Sequence, residues 1–427
     1  MNAITDAFLA RQIPVDEIAK ALASSGLDEA YYSNGHLLRP LFLSRAQRER
    51  LNADLICLHE ALTDLPARLF DGDVAAFAAA VGAVGPQIDA ARAAAGQVTR
   101  LSRADLYTDA TGFRLLELNV SGAVGGLENA QLNRAYLASP QFSAFAADHD
   151  LDYVDTLAEL ASTLREETGV TGGQTVVAIV DSPDSFPTLR AMLEQNAAAL
   201  GQLDIDAFAC HLGQVECRNG RVFAAGRPID VIYRLFLVEE LLQPDMERLM
   251  SPVLAAAARG EVAMFTPIGS ELYGSKAALA LLSDERHRDR FTAAELDVFD
   301  RILPWTRVVH PDLLAYAREH REQLVLKATT LHGGAGFAAG WLTAPDEWER
   351  RLAEAVGGPW VLQRRVVPAP ELIPGPDGTL QPYVAVWGAF RTASGYAGTY
   401  VRASANPPDG VVSWLSGALS GACFHER

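Results

Sequence analysis

The sequence predicts an α/β (α+β) protein in which antiparallel sheets accompany a parallel α/β subdomain and a group of N-terminal helices. Three observations predict this class. Apolar residues recur at helical spacing through much of the first 100 residues, an alternating hairpin follows at 101–126, and strands alternate with helices between 151 and 260. The 427 residues suffice for two or three domains, which we place at 1–150, 151–260 and 261–427.

Composition excludes several classes of protein. The hydrophobic content of 49% is too high for a disordered chain, and the net charge of −17 argues against binding to nucleic acid or an anionic membrane. The N-terminus has no secretory signal, and no uncharged apolar run is long enough to span a membrane. The four cysteines show no CxxC or zinc-type spacing. We therefore expect a cytoplasmic protein with reduced thiols and with no nucleic-acid or membrane partner.

Amphipathic patterns predict the N-terminal helices. They are expected over 5–23, 44–62, 73–81 and 86–95. Pro14 should divide the first helix, because proline interrupts the hydrogen bonding of a helix interior. Ser44 is suited to cap the second helix, whose leucines fall on one face.

The segment 101–126 predicts a hairpin, because two alternating runs flank a cluster of turn-forming residues at 108–112. A turn centred on Thr111 would place Asp105 opposite Glu117 and Arg103 opposite Asn119. These four side chains would then project from one face. The other face would carry the apolar residues Ala104, Leu106, Leu116 and Leu118.

Two opposed carboxylates repel each other on a sheet, unless a cation lies between them. Carboxylate and amide oxygens are ligands that Mg²⁺ accepts, and Arg103 could hold a phosphate or carboxylate with its planar guanidinium group. A solvated outer face, on which Arg103 screens the acids, explains the same spacing. The hairpin alone leaves both interpretations open.

The loop 121–126, SGAVGG, begins with Ser121 and lacks bulky side chains, so a ligand could approach its backbone closely. A helix is expected next, over 128–138. Between 151 and 260, a non-alternating strand at 175–180 indicates a parallel sheet buried on both faces. Further strands at 205–210, 222–224 and 231–233 complete a Rossmann-like subdomain, although no GxGxxG motif supports a dinucleotide site.

The last third of the chain contains two lysines of interest. Lys276 is expected in the first turn of a helix over 276–282, directly after a Gly/Ser/Pro loop at 266–275. A cation is unfavourable at a helix N-terminus, so an anion sharing that position would explain it; an exposed lysine is the alternative. Lys327 ends a strand at 323–327.

A glycine-rich segment follows Lys327 and leads into a strand at 337–342. Its Gly333, Gly334 and Gly336 could cradle phosphate oxygens that Lys327 neutralises, although the motif is not a P-loop. More strands are expected at 360–366, 383–390 and 396–402, with a proline-rich loop at 368–376. Arg402 could bind an anion or lie at the surface. The tail at 417–427 is too short to assign.

Taken together, these motifs resemble the circularly permuted ATP-grasp ligases, of which the glutathionylspermidine synthetase domain is the best-known member. The resemblance consists of R-x-D, a hairpin and E-x-N, then a helix lysine, a strand-end lysine before a glycine-rich flap, and a strand with Q-[KR]. The order is specific, because ordinary ATP-grasp enzymes have their metal carboxylates after the lysines. The resemblance implies an ATP-grasp fold with circularly permuted order.

The resemblance also implies roles for individual residues. Asp105, Glu117 and Asn119 match the ligands of Mg²⁺, with one or two ions, and Arg103 matches an arginine that holds the transferred phosphate or acyl phosphate. Lys327 is implied to act in catalysis together with Arg103. The residues implied to bind ATP are Lys276, Lys327, Gly333, Gly334, Gly336, Gln363, Arg364 and Val366. Those implied to contact the substrates are Arg103, Ser121, Glu239 and Arg402.

The activity implied is an ATP-dependent carboxylate–amine ligase (ADP-forming) that acts through an acyl phosphate. Its partners would be a small-molecule or peptide-like carboxylate and an amine, and the chain could form a homo-oligomer. The glutathione-specific surroundings and the amidase domain of some family members are not recognisable. An ATP-dependent phosphotransferase on the same scaffold and a non-catalytic nucleotide-binding protein remain the alternatives.

Overall fold

A large sheet joins the beginning and the end of the chain. The computed structural model describes residues 3–27, 33–94, 96–169, 175–329, 336–405, 411–413 and 416–427. The strands in chain order are β1 (Leu41–Leu43), β2 (Ser102–Asp109), β3 (Gly112–Asn119), β4 (Leu151–Asp152), β5 (Val176–Asp181), β6 (Asp206–His211), β7 (Val215–Arg218), β8 (Arg221–Ala224), β9 (Arg227–Ile229), β10 (Val231–Arg234), β11 (Ala263–Phe265), β12 (Thr306–Val308), β13 (Leu324–Ala328), β14 (Phe337–Ala339), β15 (Trp360–Arg364), β16 (Glu371–Pro374), β17 (Leu380–Thr392), β18 (Gly395–Ser404) and β19 (Leu419–Glu426).

Helices cover the sheets and connect their strands. The α-helices are Ala3–Arg11, Val15–Ala23, Arg45–Thr63, Leu65–Leu69, Val74–Ala80, Pro86–Ala93, Asn129–Leu137, Pro140–Asp148, Thr156–Thr168, Phe186–Gly201, Pro244–Ala258, Ser270–Tyr273, Lys276–Ser283, Ala293–Ile302, Leu314–Glu319 and Pro345–Ala355. The 3₁₀-helices are Leu212–Gln214, Val238–Leu242, Glu285–Arg290, Pro311–Leu313 and Arg321–Gln323. The first predicted helix divides at Pro14, and Ser44 caps the helix Arg45–Thr63 as expected. Among the described residues, no helix is both long and apolar enough to cross a membrane.

The large sheet has the order β1-β19-β18-β17-β2-β3, with β16 paired to β17 and β4 to β19. Its neighbours are antiparallel except for β1 and β19. The C-terminal tail, which the sequence left unassigned, is the interior strand β19. The acidic hairpin β2–β3 therefore lies in the same sheet as the last three strands of the chain.

The predicted parallel subdomain is present. Its sheet has the order β11-β10-β5-β6, all neighbours are parallel, and β5 is buried from residue 177 to 181. A separate antiparallel sheet, in the order β12-β15-β13-β14, carries Lys327 on β13 and Gln363 on β15. It packs on its own core, in which Trp348 is completely buried. The strand expected at 222–224 is not part of the parallel sheet: it is β8 of a small antiparallel sheet, β7-β8-β9.

The hairpin register is confirmed at its functional end and wrong at one apolar position. Arg103 pairs with Asn119 and Asp105 with Glu117, but the register then shifts so that Leu106 pairs with Leu115. Leu116 is the extra residue of a β-bulge, which reverses the faces beyond it. Leu115 is completely buried in place of Leu116.

Other boundaries also differ from the prediction. The expected loop 266–275 contains the short helix Ser270–Tyr273, β14 ends at Ala339 rather than at residue 342, and β15 ends at Arg364 rather than at residue 366. Gly333 and Gly334 lie outside the described residues, so of the three glycines predicted to contact phosphate only Gly336 is described.

Candidate active site

A cleft of about 290 Å³ lies between the hairpin β2–β3, the start of the helix Lys276–Ser283, and the sheet that contains β13 and β15. It brings together most of the site residues predicted from the sequence. Those that line it are Arg103, Asp105, Glu117, Asn119, Ser121, Lys276, Lys327, Gly336, Gln363, Arg364, Val366 and Arg402. Residues that lie far apart in the sequence therefore share one site.

The cleft is strongly cationic, although the chain carries a net charge of −17. Among the described residues, its lining has six cationic side chains and two anionic ones, Asp105 and Glu117, which is a surplus of four positive charges. The sequence has only three lysines, and two of them line this cleft. In a chain that otherwise uses arginine, this concentration of compact ammonium groups was a signal that the sequence reasoning did not use. Such a lining suits a polyanionic ligand.

The Asp105 carboxylate is held between two arginines. Arg103 donates from Nε to Oδ1 at 2.8 Å and from Nη2 to Oδ2 at 3.1 Å, while Arg402 Nη2 lies 2.7 Å from Oδ2. Burial would raise the pKa of Asp105, but the two guanidinium groups outweigh it and hold the pKa below the ordinary carboxyl range. Asp105 is therefore ionised and fully engaged by cations.

Lys276 is a cation at a helix N-terminus, and a neighbouring carboxylate explains why it is tolerated there. It is the first residue of its helix, Ser275 Oγ caps that helix by accepting from Ala278 N, and the lysine Nζ lies 3.5 Å from Glu117 Oε2. Lys276 is only 6% exposed. The anion that shares the position is thus a carboxylate of the facing hairpin.

Lys327 is held from both sides of the cleft. Its Nζ donates to the Leu116 carbonyl oxygen at 3.0 Å and to Gln363 Oε1 at 2.8 Å, and Gln363 Nε2 donates to Thr306 Oγ1 at 3.2 Å. Burial lowers the pKa of Lys327 to about 8; Glu117 opposes this shift and Lys276 adds to it. The Gln363 side chain consequently positions the lysine.

The chemistry of Asp105, Glu117 and Asn119 fits Mg²⁺, which accepts carboxylate and amide oxygens together with waters and substrate phosphates. The buried Nδ2 of Asn119 has no hydrogen-bond partner among the described residues. Rotation of the side-chain amide by half a turn would put its oxygen at that position. However, the described residues contain no group of three or more His, Cys, Asp or Glu side chains arranged to hold a metal. An ion at this site would need the amide oxygen of Asn119 and the phosphate oxygens of a ligand in addition to the two carboxylates.

The loop after the hairpin approaches protein backbone. A Cβ on Gly122 would lie 2.4 Å from the Arg234 carbonyl oxygen, so this glycine lets the loop pack against the end of β10. Ser121 Oγ donates to Glu271 Oε1 at 3.4 Å, and Arg103 Nη1 donates to the Gly125 carbonyl oxygen at 2.8 Å. The sequence predicted that a ligand would approach the backbone of this loop closely. In the structure, the parallel subdomain makes that close approach, at Gly122.

Some expectations and the structure differ at the edges of the cleft. Glu239 does not line it, whereas Leu237, two residues earlier, does. Burial, followed by Glu271 and Glu240, raises the pKa of Glu239 to about 7. The sequence reasoning also missed Trp341, over which Arg365 stacks at 3.8 Å from the ring centroid. An aromatic residue two positions after the strand of the flap was the available signal.

An apolar end of the cleft was not foreseen either. Tyr107, Val386 and Val412 form a small buried cluster there, against which Leu116 and Val366 pack. This part of the lining offers an apolar wall to a flat, apolar part of a ligand.

Comparison with solved structures identifies the fold. A glutathione synthetase-like effector from Globodera pallida, in its apo form, matches 98% of this chain and 97% of its own with a TM-score of 0.61 and 12% sequence identity. The chain has an ATP-grasp fold. At this identity the likeness concerns the fold alone, and circular permutation of the ATP-grasp order stays a prediction.

Two other solved structures overlap this chain less closely. D-alanyl-alanine synthetase A from Vibrio cholerae is 13% identical over 50% of this chain and 68% of its own, with a TM-score of 0.28. A RimK-domain ATP-grasp protein from Sphaerobacter thermophilus is 15% identical over 58% of this chain and 90% of its own, with a TM-score of 0.27. No protein-family model matches the sequence, and no curated protein matches it.

Proposed function

We propose that this protein is an ATP-dependent carboxylate–amine ligase that acts through an acyl phosphate. One observation carries the proposal: a buried lysine, Lys276, a half-buried lysine, Lys327, and two opposed carboxylates meet at a single cleft with a surplus of positive charge. The ATP-grasp fold is consistent with this activity.

In the proposed complex, the triphosphate of ATP lies along the cationic wall of the cleft. Lys276 and Lys327 contact its oxygens, and backbone amides near Gly336 assist them. Lys327 carries its charge below pH values of about 8. The apolar cluster around Tyr107 and Val386 accommodates the base, and Gln363 keeps Lys327 directed at the phosphates.

Asp105, Glu117 and Asn119 are the residues that would hold Mg²⁺. When bound, such an ion would supply positive charge to the phosphate oxygens and so weaken the bond to the leaving group. Arg103 and Arg402 lie beside the same carboxylate and are available to neutralise a transferred phosphoryl group. On this proposal, these arginines and the two cleft lysines would oppose the negative charge that develops on the phosphoryl group.

The proposed reaction has two steps. A substrate carboxylate attacks the γ-phosphorus of ATP, the bond between the γ-phosphorus and the bridging oxygen breaks, and ADP leaves. An amine then attacks the carbonyl carbon of the acyl phosphate, inorganic phosphate leaves, and the departing phosphate takes the proton that the amine loses as the amide forms. Lys276, Lys327 and Arg103 offset the charge that spreads over the phosphoryl oxygens in the first step. Exclusion of water from the occupied cleft would protect the acyl phosphate from hydrolysis.

The test is ADP formation in the presence of Mg²⁺ with a panel of carboxylates and amines. We expect sustained, multiple-turnover ADP formation only when an acid and an amine are both present, together with an amide product, and a loss of about 100-fold or more in Glu117→Gln. Asp300→Asn, which removes a surface carboxylate paired with Arg288, should keep the wild-type rate. ADP formation with a single hydroxylated acceptor would instead indicate a phosphotransferase. Nucleotide binding without ADP formation under any condition would contradict the proposed activity.

A further inference from the structure

Both oxygens of the Asp105 carboxylate are paired with arginines of the same chain. Arg103 contacts both oxygens in a bidentate pair, and Arg402 adds a third contact at 2.7 Å. Asp105 is only 4% exposed, so water cannot take the place of either arginine without a rearrangement. The residue expected to bind a divalent ion is therefore blocked in this arrangement.

The second carboxylate of the site is engaged as well. Glu117 lies 3.5 Å from the Lys276 ammonium, and Lys327 is held against the same hairpin. Four cations thus surround two carboxylates, and their combined field opposes the entry of a bare divalent cation. The same field favours the entry of a polyanion, because a polyanion attracts the arginines and lysines.

We propose that Arg103 and Arg402 form a gate on the metal site, and that they release Asp105 only when the phosphates of a nucleotide take its place. The inference rests on the proposed function, since it assumes that a nucleotide occupies the cleft. Arg402 can engage a further anion because its buried Nε has no hydrogen-bond partner among the described residues. Arg103 has a planar group that pairs with phosphate as well as with carboxylate.

The gate makes nucleotide and divalent ion bind cooperatively. A nucleotide that arrives without metal must take the arginines from Asp105 and leave that carboxylate buried and unpaired, which is unfavourable. A divalent ion restores a partner to Asp105, so each ligand raises the affinity for the other by the same factor. Replacing Asp105 by a neutral amide removes the competition for the arginines.

The test measures the affinity for a fluorescent ADP analogue, MANT-ADP, in EDTA and in Mg²⁺. We expect Asp105→Asn to bind the analogue about tenfold tighter than wild type in EDTA, and more weakly than wild type in Mg²⁺, in line with typical coupling free energies. Asp300→Asn disrupts a bidentate pair with Arg288 outside the cleft and should change neither affinity.

Two results separate the gate from the proposed function. If wild type binds MANT-ADP in Mg²⁺ but Asp105→Asn binds it no tighter than wild type in EDTA, the gate is wrong and the nucleotide site stands. If wild type binds the analogue in neither condition, both fall. Should Asp105→Asn fail to fold, Arg402→Gln decides the question through the binding of Mn²⁺ alone, measured by electron paramagnetic resonance. The gate requires Mn²⁺ to bind this variant about tenfold tighter than wild type, and equal affinity would overturn it.

Discussion

Leu116 and Lys327 are joined by a hydrogen bond of 3.0 Å, from the lysine Nζ to the leucine carbonyl oxygen. The β-bulge at Leu116 makes this contact possible, because the extra residue is not used in the pairing of β2 with β3. The bulge therefore connects the acidic hairpin to the sheet that carries the lysine. The carboxylates and the ammonium group are held as one unit before any ligand binds.

Nucleotide affinity should fall as the pH rises through about 8. Burial lowers the pKa of Lys327 to about 8, so the free protein loses this charge above that pH, whereas a bound phosphate would keep the lysine protonated. The affinity for ATP should then decrease by about tenfold per pH unit above 8, with uptake of one proton on binding. Calorimetry in buffers of different ionisation enthalpy measures both quantities. Lys327→Met should remove the dependence, and an unchanged profile in that variant would assign the titration to another group.

The small number of lysines gives a direct label for the site. An acyl-phosphate derivative of ATP should acylate Lys276 or Lys327 and leave Lys20, which is exposed on the helix Val15–Ala23. Mass spectrometry of the peptides identifies the modified residue, and an excess of ATP with Mg²⁺ should prevent the reaction. Labelling of Lys20 to the same extent would show that the probe reacts without regard to the cleft.

The loop 121–126, which follows the hairpin, offers a matched pair of glycine substitutions. Gly122→Ala would place a Cβ 2.4 Å from the Arg234 carbonyl oxygen and 2.7 Å from the Tyr233 ring, so we expect a loss of about 1–3 kcal/mol in the free energy of unfolding. Gly125→Ala meets nothing within 4 Å and should keep the wild-type stability. Urea denaturation compares the two variants. Equal stabilities would mean that the loop does not pack against β10 in solution.

Local patterns were sufficient to predict the hairpin and its functional register. Side chains alternate along each strand, and the turn residues at 108–112 fix which positions face each other. Asp105 and Glu117 were thus paired correctly. The bulge at Leu116 leaves no trace in the alternation, since Leu115, Leu116 and Leu118 are all apolar, and the assignment of Leu116 to the core failed for that reason.

Contacts between distant segments were beyond the reach of sequence patterns. The tail that forms β19 pairs in parallel with β1 near the other end of the chain, as well as with the preceding strand β18, and its own composition indicates neither pairing. Likewise, the pairing of Arg402 with Asp105 joins residues almost 300 positions apart. The resemblance to the ATP-grasp ligases assigned both residues to one site, but it did not indicate that they bind each other.

The most direct test of the nucleotide site is calorimetric titration of ATP with Mg²⁺ into wild type, Lys20→Met and the double variant Lys276→Met/Lys327→Met. Each charged hydrogen bond contributes about 1.5–3 kcal/mol, so removal of both cleft lysines should weaken binding by about 100-fold or more. We expect one site per chain in wild type, the same affinity in Lys20→Met, and little or no binding in the folded double variant. Unchanged binding in the double variant, or none in wild type, would contradict the assignment of this cleft to ATP.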